Sequence, residues 1–303
     1  MLVDFHCSDF WADPGKQQAP KEWESYTLEQ KEEAIYQYIG DSLKKIDPKR
    51  ELVDMVQVGN ETTGSFVGIT QTSDMCTLFC AGARAVRDYN KEAKVVIHVT
   101  NPEQGMMTDW AKILANNSVD YDILATSYYP CWHGTYDNLI TELETVKAIY
   151  GKKAMVAETS YPFTLEDTDG HPNTIGAGSK VSDMNYPFTV QGQAAYIRDV
   201  LDAVNTAGGV GVFYWEPAWI TVGDITRLTG AELDAQIAEN KMLWEKHGSG
   251  WASGFAGEYD AEDAGKWFGG SAVDNQALFY ADGTPTAAMY VWNYVKSDAR
   301  DEF

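Results

Sequence analysis

Basic residues are scarce in this sequence of 303 residues. Lysine and arginine together number 23, against 45 aspartates and glutamates, so the formal net charge at pH 7 is −22. Binding to nucleic acid or to an anionic membrane surface requires clustered cations. The chain also lacks an apolar run near the length of about 20 residues that spans a bilayer. We therefore predict no nucleic-acid partner and no membrane partner, and the acidic surface is compatible with a neutral substrate.

Cysteine is also rare, and the usual zinc-binding spacings are missing. Cys76 and Cys80 lie one helical turn apart, but no CxxC pair accompanies them. The five histidines show no HExxH spacing. We interpret the cysteines, at positions 7, 76, 80 and 131, as free thiols or small core residues.

Short apolar, β-branched runs alternate with stretches of helical periodicity, which is typical of βαβ units and a parallel sheet. The predicted strands are 2–5, 52–58, 95–99, 121–126, 154–157 and 210–215. The predicted helices are 27–46, 73–92, 107–117, 136–150 and 190–207. A capping box formed by Thr27 and Gln30 opens the first helix. Strands apolar on both faces favour a single α/β domain over 1–303 of the (β/α)8 TIM-barrel type.

Polar and aromatic residues follow each predicted strand. The segments are HCSDFW, GNE, HVTNP, SYYPCWHG, ETSYP and WEPAW. The carboxyl ends of the strands form the active face of a (β/α)8 barrel, so this placement predicts a site assembled from several loops. The alternative is that the aromatic loops only pack against one another.

Two glutamates are the candidate catalysts. Glu61 and Glu158 each follow an apolar strand, and Asn60 precedes the first of them. A retaining glycosidase needs one carboxylic acid to protonate the leaving oxygen and one carboxylate to attack the anomeric carbon. Asn60 is placed to bond the sugar 2-hydroxyl. Glu216 in YWEPAW is a rival catalyst, because it also follows a strand.

Aromatic and polar side chains in the same loops are candidate sugar contacts, since pyranose rings stack on aromatic faces. We favour loop or strand-end tryptophans, whereas Trp110 and Trp244 lie on predicted helices and belong to the core. A buried, hydrogen-bonded core role is an equal alternative for the two histidines near strand ends. The candidates are Asn60, His6, Asp9, Trp11, His98, Tyr128, Trp215 and Trp251.

The segment 167–173 alternates oxygen-bearing side chains around a glycine. Asp167, Asp169 and Asn173 are spaced so that one loop wraps a Ca²⁺ ion, which takes six to eight oxygens. The spacing is not that of an EF-hand. Asp, Gly, Pro and Asn also form polar surface turns, so the residues leave both interpretations open.

The motifs together resemble glycoside hydrolase family 53, the arabinogalactan endo-β-1,4-galactanases of a large clan of retaining (β/α)8 glycosidases. The resemblance runs from residue 2 to about 295, through DFHCSDFWADPGKQ, VQVGNE, SYYPCWHG, ETSYPFTLED, WEPAW and the long segment that begins at WEKHGSGW. It implies hydrolysis of β-1,4-galactan in type I arabinogalactan or pectin, with Glu61 as acid/base and Glu158 as nucleophile. Cys7 and Cys131 stand where the family usually has aromatics.

The resemblance also implies calcium, a structural ion that joins two long loops. Ser271 and Asp274 join Asp167, Asp169 and Asn173 as ligands, and His171 contributes its backbone carbonyl. Family members carry about two further βα units before the first strand of this chain, including an arginine that supports the glutamates. We therefore expect six strands, β3 to β8 of the barrel, a truncated N-terminus and a long loop over about 218–274.

Three functions remain open at this point. The first is a monomeric, secreted or cell-surface endo-β-1,4-galactanase, although no signal peptide is visible in the sequence. The second is a related endo-glycanase that acts on mannan or glucan. The third is a truncated barrel that binds galactan without cleaving it. The intact Glu61 and Glu158 favour descent from a catalyst.

Overall fold

A computed structural model describes residues 1–169, 171–179, 184–220, 225, 227–247, 256–260 and 270–295, except for the side chain of Trp244. Within the chain, two compact units are distinguished by their internal contacts. The first unit consists of Met1–Glu158 and Ala203–Phe213, and the second of Thr159–Asp202 and Tyr214–Phe303. The first unit contains both candidate catalytic glutamates, and the second contains the candidate calcium loop.

Six parallel strands form one sheet in chain order. They are β1 (Leu2–Phe5), β2 (Met55–Val58), β3 (Lys94–Val99), β4 (Ile123–Ser127), β5 (Lys153–Thr159) and β6 (Val212–Tyr214). Every residue of β4 is buried, and so is every residue of β3 after its first. Burial on both faces explains why these strands are continuous apolar runs. The six strands predicted from the sequence are thus confirmed.

Helices connect and follow the strands. They are α1 (Leu28–Ile46), α2 (Thr72–Tyr89), α3 (Met106–Asn116), α4 (Tyr136–Tyr150), α5 (Val190–Thr206), α6 (Gly230–His247) and α7 (Val291–Val295). The first five confirm the predicted helices. In the described part of the chain, none of the helices is long and apolar enough to cross a membrane.

Helix α6 lies within the long loop predicted over about 218–274 and includes Trp244, which was predicted to lie on a helix. The extent of that loop remains a prediction. Ile237, Met242 and Leu243 of this helix are exposed. A helix is recognised in a sequence by an apolar stripe that repeats every three or four residues and faces a core. Because α6 leaves apolar side chains in solvent, that signal is weak in its sequence.

The capping box at the start of α1 is present. The Thr27 hydroxyl accepts a hydrogen bond from the backbone N–H of Gln30 at 3.3 Å, and the Gln30 side chain accepts one from the N–H of Thr27 at 2.9 Å. The buried face of the helix then repeats every four residues at Ile35, Ile39 and Leu43. Local sequence therefore determines where α1 begins and which face it buries.

Close packing of α2 on β2 fixes the strand that leads to the first glutamate. Gly82 of α2 faces Val58, and a Cβ atom at position 82 would lie 2.4 Å from Val58 Cγ1. The branched valine side chain has little freedom to move away. A glycine at this position therefore allows the helix to approach the end of β2, three residues before Glu61.

We predict that Gly82→Ala destabilises the protein, although alanine is the better helix former. Overpacking against Val58 costs about 1–3 kcal/mol, which exceeds the gain of about 1 kcal/mol in helix propensity. The matched control is Gly40→Ala in α1, where a new Cβ meets no atom within 4 Å. Urea denaturation should show a lower midpoint for the first variant and an equal or higher one for the control. A midpoint that rises for Gly82→Ala would contradict this packing.

Candidate active site

Glu61 lies in a tight turn directly after β2. Its φ angle is +48°, in the left-handed region that a residue with a side chain rarely adopts. The turn is held by Thr62, whose backbone N–H and hydroxyl both donate to the carbonyl of His98 at 2.9 Å. Such strain persists where the surroundings fix it, and it is concentrated at functional sites. Here it directs the Glu61 side chain toward the end of β4.

A β-bulge sets the direction of Glu158. Thr126 of β4 is paired with Val156 of β5, but the next residue, Ser127, is paired with Glu158, so Ala157 is the extra residue. Inserting one residue shifts the alternation of side chains and bends the strand, a device common beside active sites. The backbone carbonyl of Glu158 then accepts a hydrogen bond from the N–H of Tyr128 at 2.8 Å.

The two strand ends bring the carboxylates of Glu61 and Glu158 together. An oxygen of one lies within 4.8 Å of an oxygen of the other, and a ring nitrogen of His98 lies within 4.8 Å of both. Burial raises the pKa of Glu61 to about 7. Burial and the negative charge of Glu61 raise the pKa of Glu158 well above its usual range. Since like charges this close oppose joint ionisation, the pair retains one proton near neutral pH.

Each carboxylate has its own hydroxyl partner on β4 or just beyond it. Ser127 Oγ lies 2.5 Å from Glu61 Oε1, and the Tyr129 hydroxyl donates to Glu158 Oε2 at 2.9 Å. Tyr128, the tyrosine predicted to contact substrate, is 1% exposed and its hydroxyl donates to the carbonyl of Gly134. Its role in binding remains a prediction. Alternation along the strand places Ser127 and Tyr129 on one face, which is the signal that would have identified Tyr129.

His98 lies beneath the two carboxylates and contacts residues of the site through its ring. The ring is fully buried, with Nδ1 2.8 Å from Asn60 Oδ1 and Nε2 3.0 Å from Ser127 Oγ. Burial lowers the pKa of His98 to about 4, so the ring is neutral. The burial and the two hydrogen bonds favour the alternative of a hydrogen-bonded core histidine, and the contact with substrate remains a prediction. Both ring nitrogens are used in hydrogen bonds, which favours a hydrogen-bond network over metal ligation.

The Asn60 side chain is held by contacts with Ala12, Gln57 and His98. Its amide Nδ2 donates to the carbonyl of Ala12 at 2.9 Å, and its Oδ1 accepts from Gln57 Nε2 at 3.1 Å in addition to its contact with His98. The side chain also forms a hydrogen bond with Glu158. The predicted contact with a sugar 2-hydroxyl remains a prediction, and the observed geometry holds the amide beside the carboxylate that would attack the sugar.

The first loop, after β1, contains three predicted contacts. His6 is oriented from both ring nitrogens: Nδ1 accepts from the N–H of Ala12 at 2.8 Å and Nε2 lies 3.1 Å from Asp4 Oδ2. Asp9 accepts from the backbone N–H of Lys21 at 2.8 Å, and Trp11 is partly exposed. His6 also lies close enough to Glu61 to act on its charge. The roles of these three residues in binding remain predictions.

A further predicted contact, Trp215, belongs to the second unit. Trp215 is partly exposed, and its backbone N–H donates to the carbonyl of Thr159 at 2.8 Å. Its ring lies 6.4 Å from that of Trp219, centroid to centroid. The adjacent Glu216 shares the left-handed φ of +48° found at Glu61. Trp251 lies outside the described residues.

The predicted calcium loop brings its carboxylates together within the second unit. Asp169 accepts from the backbone N–H of His171 at 2.8 Å and from that of Ser271 at 2.7 Å. Burial and the neighbouring charge of Asp274 raise the pKa of Asp169 to about 7. Asp169 therefore joins the segment 167–173 to the segment that contains Ser271, the two segments that the predicted ion would join.

The oxygens in this loop fit a hard cation. Asn173 Oδ1 is shielded from solvent and has no hydrogen-bond partner in the described part of the chain. Asp167 accepts from the N–H of Asp169 at 3.2 Å, which bends the loop back on itself. Mutual repulsion of buried carboxylates and an unsatisfied buried amide oxygen are both relieved by a bound cation.

We predict that Glu61→Gln stabilises the protein at high pH. A raised carboxyl pKa gives stability that is full below about pH 4 and is lost as the pH rises to about 7. At pH 8 the variant avoids this loss, worth about 3 kcal/mol for an isolated group, and at pH 4 it gains little. Thermal melting at both pH values tests this, with the exposed Glu24→Gln as control. An equal change in melting temperature at both pH values would contradict the account.

Comparison with known proteins identifies the family of the chain. The family model for glycosyl hydrolase family 53 matches residues 1–292. The endo-beta-1,4-galactanase of Bacillus subtilis (strain 168) is 53% identical over 98% of the chain and 67% of its own length. The arabinogalactan endo-beta-1,4-galactanase of Cellvibrio japonicus is 37% identical over 73% of the chain and 61% of its own length. The chain thus spans about two thirds of the length of these curated relatives.

Solved structures show the same family and a wider fold group. The Ignisphaera aggregans GH53 catalytic domain has a TM-score of 0.79 and 32% identity, over 97% of this chain and 73% of that one. Xylanase10C of Cellvibrio japonicus, at 13% identity and a TM-score of 0.56 over 99% of this chain and 54% of that one, shares the fold alone. From the family match and these relatives, the chain belongs to glycosyl hydrolase family 53.

Proposed function

We propose that the protein hydrolyses β-1,4-galactan with retention of configuration at the anomeric carbon. The observation that carries the proposal is the pair formed by Glu61 and Glu158, whose carboxylate oxygens approach within 4.8 Å. Retaining glycosidases hold their two carboxyl groups about 5 Å apart, whereas inverting enzymes separate them by about 6.5–9.5 Å to admit a water molecule. The short separation supports direct attack by one carboxylate.

The hydrogen bonds divide the two roles. Burial alone would favour protonation of Glu158, but the Tyr129 hydroxyl and the Asn60 amide both direct hydrogen atoms to its carboxylate. Donors aimed at a carboxylate stabilise its charged form. The shared proton is thereby moved toward Glu61. Glu158 is then the ionised nucleophile and Glu61 the acid, as the family resemblance implies.

In the first step, a Glu158 oxygen forms a bond to the anomeric carbon of the galactosyl unit. The bond from that carbon to the glycosidic oxygen breaks, and the leaving oxygen takes the proton of Glu61. In the second step, the ionised Glu61 removes a proton from water, which attacks the same carbon and releases Glu158. The raised pKa of Glu61, about 7, suits a group that must give and then accept a proton.

The names of the relatives support galactan as the substrate. The matching proteins of Bacillus subtilis and Cellvibrio japonicus are both called endo-β-1,4-galactanases. A neutral polysaccharide also suits a chain with a net charge of −22. A polymer of this kind is met outside the cell, which favours a secreted enzyme. That the enzyme is a monomer remains a prediction. Reducing-sugar release from galactan, mannan and glucan distinguishes the proposal from the related endo-glycanases. Cleavage of mannan or glucan without galactan would reject it.

We predict that Glu158→Ala abolishes turnover, a loss of about 10⁴-fold or more, because the covalent step loses its nucleophile. Added azide should restore cleavage of an activated aryl galactoside and yield a glycosyl azide of inverted configuration. Glu61→Ala should instead retain the first step on a good leaving group and yield a retained glycosyl azide.

The control for both variants is Glu216→Ala, at the other strand-end glutamate with a left-handed backbone. It should retain the catalytic rate constant of the wild type within about tenfold. Azide rescue that appeared in Glu216→Ala and was missing in Glu158→Ala would show that the nucleophile is assigned to the wrong residue.

We further propose that a calcium ion binds the second unit through Asp167, Asp169, Asn173, Ser271, Asp274 and the backbone carbonyl of His171. The charge of Asp274 beside Asp169 and the unsatisfied Asn173 Oδ1 support this donor set. The ion would neutralise the carboxylates and join the two segments, which is a structural and not a catalytic contribution.

We predict that removing calcium lowers the melting temperature, because an ion that binds the folded state alone stabilises it by mass action. EDTA should lower the transition by several degrees and CaCl2 should restore it. Asp274→Asn should abolish the response, and Asp234→Asn at an exposed position of α6 should preserve it. Identical melting with EDTA and with calcium would reject the ion.

A further inference from the structure

Glu61 must act as an acid in one step and as a base in the next, and two hydroxyl groups bond its carboxyl group. One is Ser127, at 2.5 Å, and the other is Thr100. Behind each hydroxyl lies a buried histidine: His98 behind Ser127 at 3.0 Å, and His133 behind Thr100 at 3.3 Å. Whether each hydroxyl donates a hydrogen bond to Glu61 or accepts one depends on which ring nitrogen of its histidine carries the hydrogen.

His98 accepts a hydrogen bond at Nε2. The amide of Asn60 is oriented by its bond to the Ala12 carbonyl, so its oxygen faces His98 Nδ1 at 2.8 Å. Two lone pairs at that distance would repel, and Nδ1 therefore carries the hydrogen. Two longer contacts compete at Nδ1. Gln57 Nε2 lies 3.1 Å away but also donates to Asn60 Oδ1, and the Glu61 N–H lies 3.4 Å away, at the outer limit of a hydrogen bond. Burial lowers the pKa of His98 to about 4, so Nε2 carries no hydrogen.

Ser127 has one hydrogen atom and two neighbours that can accept it. If Ser127 donates to Glu61, the bare Nε2 of His98 faces a second lone pair at 3.0 Å. If Ser127 donates to His98, its oxygen accepts a hydrogen from Glu61, which must then be protonated. Both contacts of the Ser127 hydroxyl, with His98 Nε2 and with Glu61 Oε1, are satisfied in the second arrangement. Ser127 and His98 therefore favour the protonated form of Glu61.

The Thr100 hydroxyl has the opposite role to that of Ser127, because it donates its hydrogen to Glu61. The N–H of Tyr129 donates to His133 Nδ1 at 3.0 Å, so this nitrogen is the acceptor and Nε2 carries the hydrogen. Burial lowers the pKa of His133 to about 4, so the ring is neutral. His133 Nε2 therefore donates to Thr100 Oγ1, and the Thr100 hydrogen is available for Glu61. A hydroxyl that donates to a carboxylate stabilises its ionised form.

We propose that His98 and His133, held in opposite tautomers, act through Ser127 and Thr100 as positioning residues that give Glu61 one hydrogen-bond acceptor and one donor. This inference rests on the proposed role of Glu61 as acid/base. Each protonation state then finds a matched partner without movement of the backbone. The acid is held through Ser127 during the first step, and the base through Thr100 during the second.

The direct test is a titration of the Glu61 carboxyl carbon by ¹³C NMR, assigned with Glu61→Gln. Ser127→Ala should lower its pKa and Thr100→Val should raise it, each by roughly 0.5–1 unit. Glu158, Asp13 and His6 also act on Glu61, and neither substitution changes them. The control is Thr126→Val, which removes a buried hydroxyl of β4 that bonds the carbonyl of Ser127.

Kinetics give a second, independent readout. Ser127→Ala should lower kcat/KM on galactan about tenfold to a hundredfold, yet preserve steady-state turnover of a dinitrophenyl β-galactobioside, whose leaving group needs no proton. Thr100→Val should slow that steady-state turnover after an unchanged burst, because the second step needs the base. Ser127→Thr and Thr100→Ser should restore the wild-type behaviour.

Shifts of the Glu61 pKa in opposite directions would support the proposal. Shifts in the same direction, or shifts equal to that of Thr126→Val, would overturn it, because the two hydroxyls would then be equivalent partners. The titration does not depend on activity. A wild-type chain that cleaves none of the polysaccharides would therefore reject the proposed function and leave the titration to decide the hydrogen-bond network.

Discussion

The close approach of two buried carboxylates is the constraint on which the site depends. Glu61 lies in the turn after β2 and Glu158 near the end of β5, and their oxygens approach within 4.8 Å. Removal from water and mutual repulsion both oppose ionisation, so folding must hold the pair in place against these costs. The left-handed turn at Glu61 and the bulge at Ala157 are the backbone features that do so.

Packing below the strand ends keeps this strained arrangement in place. The missing Cβ of Gly82 lets α2 pack against Val58 at the end of β2. The carbonyl of His98 accepts two hydrogen bonds from Thr62, the residue after Glu61. A buried histidine thus restrains the turn through its backbone and contacts Asn60 and Ser127 through its ring. Stability and chemistry depend on the same few contacts, so many substitutions here should affect both.

Much of the fold could be predicted from the sequence because its signals are local. The six strands are apolar runs, and Thr27 with Gln30 marks the start of α1. The strand-end position of the two glutamates also follows from the parallel sheet. The bounds of helix α6 could not be predicted, because its exposed apolar residues form no clear stripe. Tyr129 was missed in favour of Tyr128, since the direction of each depends on alternation along one strand end.

The hydrogen-bond network behind Glu61 lies beyond local sequence signals for another reason. Ser127, His98 and Thr100 come from separate segments, and their contact depends on strand register. A histidine near a strand end is compatible with substrate binding or with burial, and the distinction requires knowing its neighbours. Tautomers add a further level, because the position of one hydrogen depends on the amide orientation of Asn60 and the N–H of Tyr129.

The central claim is that Glu158 forms a covalent bond to the sugar, while Glu61 donates a proton in the first step and accepts one in the second. Mass spectrometry after incubation with a 2-deoxy-2-fluoro-β-galactobioside that carries a dinitrophenyl leaving group tests it most directly, because fluorine slows the second step. The account predicts that the peptide containing Glu158 gains the mass of one fluorinated disaccharide. A label on the peptide containing Glu61 or Glu216, or galactan products with inverted configuration and no label, would contradict it.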